Sequence, residues 1–332
     1  MPGNARPSAE ERLIARYFRP LAKHPGAFGL ADDAAAITLP PGYDLVLTTD
    51  GVIAGVHVFA DDPPDLIARK ALRMNLSDLA AKGATPVGFL LALSLPVGTK
   101  KSWLAAFARG LGEDAEHYGC PLLGGDTDHT PGPAAVSITA FGAVPRGKMV
   151  RRSTAKVGDL VFVTGTIGDA ALGVKLRRDS RLGKRWGLSN ASVAQLVGRY
   201  RLPEPRNALA RTVLRYASAA IDISDGLAGD LDKLCRGSKV AADIDAVRVP
   251  LSRAARAALI ADLELMETVL TGGDDYEIAL TVAPKKLAAF HRAAKDAGVP
   301  VTEIGRVRRG ERARFLKDGK ALRFARPAYS HF

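Results

Sequence analysis

The chain has 332 residues, 47% of them hydrophobic and 25% charged, with 47 Lys+Arg against 35 Asp+Glu and a formal net charge of +12. That length suffices for two domains with real cores. No run reaches the ~18 apolar residues of a membrane helix, and two cysteines, Cys120 and Cys235, offer neither a disulfide framework nor a metal-ligand pair. The basic residues are scattered, with modest clusters at 177–185 and 306–314, and only 6% of the chain is aromatic. Such a surface lacks the stacking platform of a single-strand binder, so small anionic substrates fit the charge better than nucleic acid.

In chain order, the N-terminal stretch lacks the apolar core of a secretory signal, which makes the cytoplasm the expected compartment. Ser8 and Glu11 are spaced as a capping box, so a loop leading into a helix is expected there. A strand is expected over 43–49, a helix over 65–82 between the Pro63-Pro64 break and Gly83, a strand over 87–94, a helix over 101–118 and an alternating strand over 134–144. The basic, glycine-containing stretch 146–159 reads as a junction, giving domains of 1–148 and 149–332. The second half restarts with a strand at 160–164, a glycine-rich turn and a helix from about Ala170, with further strands at 220–223, 277–282 and 301–307. Residues 178–206, polar and broken by Gly and Pro, read as an insertion or mobile loop. The class is α/β (α+β) in two domains.

Acidic residues recur beside these apolar strands: Asp32-Asp33, Thr48-Thr49-Asp50, Asn75-Leu76-Ser77-Asp78, Gly124-Gly125-Asp126, Asp222-Ile223-Ser224-Asp225 and Gly273-Asp274-Asp275. Any one of them is an ordinary turn or cap; the set is harder to dismiss. Asp78 follows Ile67, Ala71 and Met74 on one helical face, and a carboxylate on an apolar stripe is costly unless it is paired or holds a cation. Converging carboxylates repel, and hard divalent cations relieve that repulsion. Mg²⁺ takes oxygen donors and usually brings substrate phosphates with it, whereas zinc would want His or Cys ligands that the chain does not group. Gly124-Gly125 and Thr164-Gly165-Thr166-Ile167-Gly168 let backbone N–H groups approach an anion, without forming a Walker A loop or a dinucleotide fingerprint. The residues alone point to an Mg-nucleotide enzyme.

The ordered motifs DDAA, TTDG-x-x-x-GVH, NLSDLAAKGATP, LALSLP, GGDT, VTGTIGDAALG, IDISDG and GGDDYE resemble those of the thiamine-monophosphate kinases, in the aminoimidazole ribonucleotide synthetase-like superfamily. The resemblance implies an N-terminal α/β domain that dimerises through its sheet, a C-terminal α+β domain and ATP in the cleft between them. It implies that ATP phosphorylates thiamine monophosphate in one in-line step, yielding thiamine diphosphate and ADP. It places Asp33, Thr48, Thr49, Asp50, Asp78, Asp126 and Asp222 on several Mg²⁺ ions along the ATP phosphates and Asp225 on a further ion. Gly125, Arg152 and Ser224 would contact ATP, and His57, Asp274 and Tyr329 the thiamine monophosphate; Asp33, Asp50, Asp126 and Arg152 would carry the catalysis. The chain departs from the family pattern in Ala31 for a glycine, Asp274 for a glutamate, Val58 after His57, and Asp128-His129-Thr130 after Thr127.

Two other readings compete. A synthetase of the same superfamily that activates an amide or carboxylate would share these motifs, although a selenophosphate synthetase would need a reactive cysteine in an N-terminal loop that has none. A non-catalytic nucleotide or RNA binder would use the basic surface, but would have no need of the metal acids.

Overall fold

Period-two alternation builds the first sheet. In the computed structural model, which describes residues 8–326 and 328, strands β1 (Tyr43–Ile53), β2 (Thr85–Pro96), β3 (Leu122–Thr130) and β4 (Ala135–Pro145) lie in the order β1-β4-β2-β3. β1 runs antiparallel to β4 and β2 parallel to β3. One face is buried through Val46, Val52, Leu91, Leu93, Val136 and Ile138. On the other, Leu45 and Leu47 of β1 and Leu90 of β2 stay exposed, Leu47 by 60%, with Leu47 in register opposite Phe141 and Thr49 opposite Thr139. Helices α2 (Pro64–Ala81) and α3 (Lys101–His117) add Leu72, Phe107 and Leu111 to the buried core. They are joined where Arg69 and Arg73 converge on buried Asp114, the Arg69 Nε–Oδ1 distance being 3.0 Å. A short helix, α1 (Ala9–Leu13), opens with the expected capping box, the Ser8 hydroxyl accepting the Glu11 N–H.

By contact density the described residues form two units: those up to Leu76 with Pro86–Arg146, and Ser77–Thr85 with those from Gly147 onward. The second unit holds seven strands in the order β11-β10-β7-β9-β5-β8-β6: β5 (Leu160–Thr164), β6 (Ala217–Ile223), β7 (Ala241–Asp245), β8 (Glu277–Val282), β9 (Val301–Arg308), β10 (Ala313–Lys317) and β11 (Lys320–Ala321). Every residue of β5 and β8 is buried, as a strand covered on both faces requires. Val161, Val163, Ile221 and Ala279 belong to one core, with α4 (Asp169–Arg178), α6 (Asn190–Arg201), α8 (Leu227–Ser238), α9 (Arg253–Ala261) and α10 (Leu265–Thr271). Leu160, Phe162, Ala220, Ile278 and Leu280 belong to the other, with α7 (Ala210–Tyr216), α11 (Leu287–Asp296) and the end of α2.

Residues 178–206 are not a loose insertion. They hold the end of α4, α5 (Arg181–Arg185) and α6, with Trp186, Leu196 and Tyr200 buried. Three apolar anchors suffice because α6 lies along α4, so the polar residues between them can face outward.

Candidate active site

In the first unit Asp50 and Asp126 sit inside strands rather than at their ends, and Asp33 lies in a turn ahead of β1. β1 continues four residues past the expected stop at Thr49, so its pleat separates the motif: Thr48 and Asp50 alternate with Val46 and Val52 on the buried face, and Thr49 falls on the open face with Leu45 and Leu47. The Thr49 hydroxyl donates to the Ile138 carbonyl at 3.2 Å and accepts from Thr139 at 3.1 Å. Asp126 lies within β3, in register with Ala92. Its neighbour must be glycine, since at φ 155° a Cβ on Gly125 would stand 1.8 Å from the Leu91 carbonyl oxygen.

A pocket of about 740 Å³ opens beside this strand, lined among others by Asp32, Asp33, Gly124, Gly125, Asp126 and Thr127. Two of the carboxylates there accept from the next residue's N–H: Asp32 Oδ1 from Asp33 and Asp126 Oδ1 from Thr127, at 2.8 and 2.9 Å. The turn before Asp32 carries Phe28, Gly29 and Leu30 in succession at φ 49°, 63° and 56°, a strained run of the kind found at functional sites. Ala31 itself has φ −106°, which any residue adopts, so the family glycine is not required there. His57 closes the turn after β1. Its Nδ1 accepts the Ile53 N–H at 3.1 Å and its carbonyl accepts from the fully buried Lys70.

In the second unit, Asp78, Arg152, Asp222 and Ser224 line one pocket of about 380 Å³, together with Lys82 and Arg151. The Ser77 hydroxyl donates to Asp222 Oδ2 at 3.2 Å. Lys82, one helical turn past Asp78, donates to the Ala220 carbonyl at 3.1 Å. Burial lowers its pKa, against the pull of Asp222 and Asp78. The turn after β6 is held by Asp230 of α8, whose Oδ2 accepts the N–H groups of Ser224 and Asp225 at 3.1 and 2.9 Å. Lys233 bridges Asp225 and Asp230. Burial raises the Asp230 pKa, and Lys233 opposes it. Burial also disfavours the Lys233 ammonium, but the two aspartates outweigh it and hold the lysine pKa above its usual value. Burial works against each charge, while the Asp230–Lys233 attraction and the Ser224 and Asp225 N–H groups work for it.

The turn bearing Asp274 packs directly on Ser224. Asp274 N–H donates to the Ser224 carbonyl at 2.9 Å and Tyr276 N–H to that of Ile223 at 2.8 Å, and a Cβ on Gly273 would lie 2.3 Å from the same Ser224 oxygen. Asp274 and Tyr276 both adopt positive φ, 72° and 50°, and the Tyr276 hydroxyl donates to Asp274 Oδ1 at 3.2 Å. Tyr329 lies outside the described residues.

The candidate residues thus form an N-terminal group and a C-terminal group. Among the described residues, no three carboxylate, histidine or cysteine side chains converge closely enough to hold a metal ion by themselves. An all-oxygen set of paired carboxylates, hydroxyls and open pocket space nevertheless suits Mg²⁺, which takes one or two carboxylates and completes its shell with water and phosphate. Sequence reasoning missed Lys82, Arg151, Asp230 and Lys233. Lys82 stands four residues after Asp78, and Asp230 and Lys233 stand three apart, so helical spacing was the available signal.

The AIR synthase related protein N-terminal domain matches residues 31–144 and the corresponding C-terminal domain residues 156–317. The chain is 43% identical over 331 residues to the thiamine-monophosphate kinase of Caulobacter vibrioides, covering 98% of this chain and 92% of that one. The crystal structure of thiamine-monophosphate kinase from Stenotrophomonas maltophilia K279a superposes with a TM-score of 0.82 at 37% identity, over 94% of this chain and 96% of that one. A structure of AaThiL complexed with AMPPCP and TMP superposes with a TM-score of 0.78 at 30% identity, over 92% and 97% of the two chains.

Proposed function

We propose, from the premise that the chain belongs to the AIR synthase related family and to the thiamine-monophosphate kinases within it, that it transfers the γ-phosphoryl group of ATP to thiamine monophosphate, giving thiamine diphosphate and ADP. The observation that carries this reading is the pocket where Asp78, Arg152, Asp222 and Ser224 meet, with the acceptor-side Asp274 fastened to Ser224 by backbone hydrogen bonds.

Phosphoryl transfer asks for positioning and charge neutralisation rather than covalent help. Arg152 brings fixed positive charge to the pocket that would receive phosphate, and Lys82 stands beside it with its charge disfavoured by burial. Asp33, Thr48, Thr49, Asp50 and Asp126 in the first unit and Asp78, Asp222 and Asp225 in the second would hold Mg²⁺, which when bound supplies neutralisation of the donor phosphates. Gly125 and Ser224 would contact ATP, and His57, Asp274 and Tyr329 the thiamine monophosphate. The acceptor phosphate oxygen is already deprotonated near neutral pH, so no general base is needed and transfer is direct. No cysteine is available as a relay: Cys120 and Cys235 are buried, and burial pushes each thiol up to about 12.

The open apolar face carrying Leu45, Leu47 and Leu90 supports a homodimer through the first sheet; a monomeric mass by light scattering at micromolar concentration would overturn that assignment. Among the described residues no helix is long and apolar enough to cross a membrane, and the reading assigns a cytoplasmic enzyme. The deciding assay is ADP release from ATP and Mg²⁺, with and without thiamine monophosphate. Release that does not depend on thiamine monophosphate, or that depends instead on an amide or carboxylate acceptor, refutes the proposed reaction.

A further inference from the structure

Between the two positive-φ residues of the acceptor-side turn sits Asp275, 2% exposed and wholly enclosed. Its Oδ2 accepts the Gly168 N–H at 2.8 Å, at the glycine that caps α4 with φ 85°. Its Oδ1 is buried with no hydrogen-bond partner among the described residues. Asp275 therefore joins two glycine-rich turns, Gly272–Tyr276 and Thr164–Gly168, that carry no other side-chain-to-backbone bond of this kind between them among the bonds described. We propose that Asp275 is a positioning residue for the acceptor side of the reaction: it clamps the Asp274 turn to the start of α4 and so sets where the Asp274 carboxylate stands. This rests on the reading of Asp274 as a thiamine monophosphate contact.

The charges around Asp275 indicate the form in which it works. From α4 it faces Asp169, from α6 Arg199, and from β8 Glu277. Arg199 is committed elsewhere: its Nη2 donates to Glu277 Oε1 at 2.9 Å and reaches only the main-chain oxygen of Asp275, at 3.5 Å, while its Nη1 pairs with Glu204 at 2.9 Å. Arg206 donates to Glu277 Oε2 at 2.6 Å and pairs with Glu204 at 3.3 Å. Two guanidiniums thus balance two carboxylates, Glu277 and Glu204, and leave no net positive charge for Asp275 or Asp169. Asp169 is satisfied by hydroxyls instead, Ser252 at 2.6 Å and Thr166 at 2.8 Å. An ionised Asp275 would bury a charge with one N–H donor and a second carboxyl beside it, an arrangement that neutralisation avoids. Burial pushes its pKa far above the ordinary aspartate range; the Gly168 N–H pulls it back and Asp169 pushes it further. Asp275 is therefore a neutral acid in the folded chain, and its carbonyl-type oxygen is what the Gly168 N–H needs.

The test compares Asp275→Ala with Asp275→Asn, the neutral isostere. Asp275→Ala is expected to raise KM for thiamine monophosphate at least tenfold with KM for ATP within about twofold, as loss of acceptor binding requires, and Asp275→Asn is expected to restore most of that loss. The second readout is melting temperature against pH. A folded-state pKa above the unfolded value means the folded chain binds the extra proton, so wild type loses this stability as pH rises from about 4 toward the folded value. Asp275→Asn has no such proton to lose, and its melting temperature relative to wild type should climb between pH 5 and pH 8. If Asp275→Asn is as damaging to KM for thiamine monophosphate as Asp275→Ala, or if the melting difference stays flat or falls with pH, the neutral clamp is wrong. If Asp275→Ala leaves KM for thiamine monophosphate unchanged in a folded enzyme, the positioning role is wrong. A wild-type enzyme that phosphorylates a different acceptor refutes the proposed function instead, while the pH-dependent melting comparison still decides the clamp.

Discussion

The two acid groups are built on opposite principles. Asp126 and Asp33 are exposed in the first unit, on a strand and beside a strained turn, with the Thr127 N–H on Asp126. In the second unit Asp222 and Asp230 are buried and Asp225 is tied to a lysine, each already answered by Ser77, Lys233 or a backbone N–H. The first group stays hydrated before anything binds, so its carboxylates contribute little to folding and stay open to the cation proposed for them. The second is partly neutralised by the chain itself, so its acids contribute to the fold as well as to the site. Removing one carboxylate should therefore cost activity alone in the first unit, and stability as well in the second.

The largest effect falls on the first group. Asp126→Asn, which keeps the shape and removes the charge, should lower kcat by ~10²–10³-fold, the usual cost of losing a preorganised electrostatic contact, with an unchanged melting curve. The measurement is turnover across a Mg²⁺ titration beside thermal unfolding. Near-normal turnover at low Mg²⁺, or a marked drop in melting temperature, breaks the contrast at its strongest point. Next come the proposed acceptor contacts. Asp274→Ala and His57→Ala should raise KM for thiamine monophosphate by ~10–100-fold, the equivalent of a charge-assisted hydrogen bond, and KM for ATP far less. If only ATP binding weakens, the acceptor pocket lies elsewhere.

Asp230→Ala tests the second group. It removes a buried carboxylate that holds two N–H groups and Lys233. Breaking a buried pair costs about 3–5 kcal/mol, but Lys233 is 30% exposed and keeps Asp225, so about 2 kcal/mol is expected. A urea midpoint unchanged from wild type would show that this turn is held by its backbone alone and that the second group is no more structural than the first.

How far these groups were legible in the sequence follows the same division. β8 matches its expected bounds because a short run with Ile278, Ala279, Leu280 and Val282 apolar has one sensible reading. β3 was invisible: Gly-Gly-Asp-Thr reads as a turn, and only pairing with β2 makes it a strand. Residues 178–206 were misread because their buried anchors, Trp186, Leu196 and Tyr200, are too sparse to show a period without α4 beneath them. The acids stood out one by one, whereas their lysine partners did not, because Lys82 and Lys233 gain meaning only once α2 and α8 are set against the end of β6.

The smallest effect concerns a glycine that is missing. At Gly125 a side chain is forbidden, since its Cβ would overlap the Leu91 carbonyl. At Ala31, where the family pattern has glycine, φ is −106° and the positive angles lie at Phe28, Gly29 and Leu30. Alanine there needs no left-handed backbone, so it restricts the unfolded chain without straining the folded one. Ala31→Gly should therefore lower stability by about 0.4–1 kcal/mol, seen as a small drop in urea midpoint, and leave kcat within about twofold. A gain in stability would mean that Ala31 is strained after all. A gain in activity of fivefold or more would mean that the turn before Asp32 and Asp33 is held too stiffly for the proposed cation, and that the exposed group, like the buried one, is shaped by the fold beneath it.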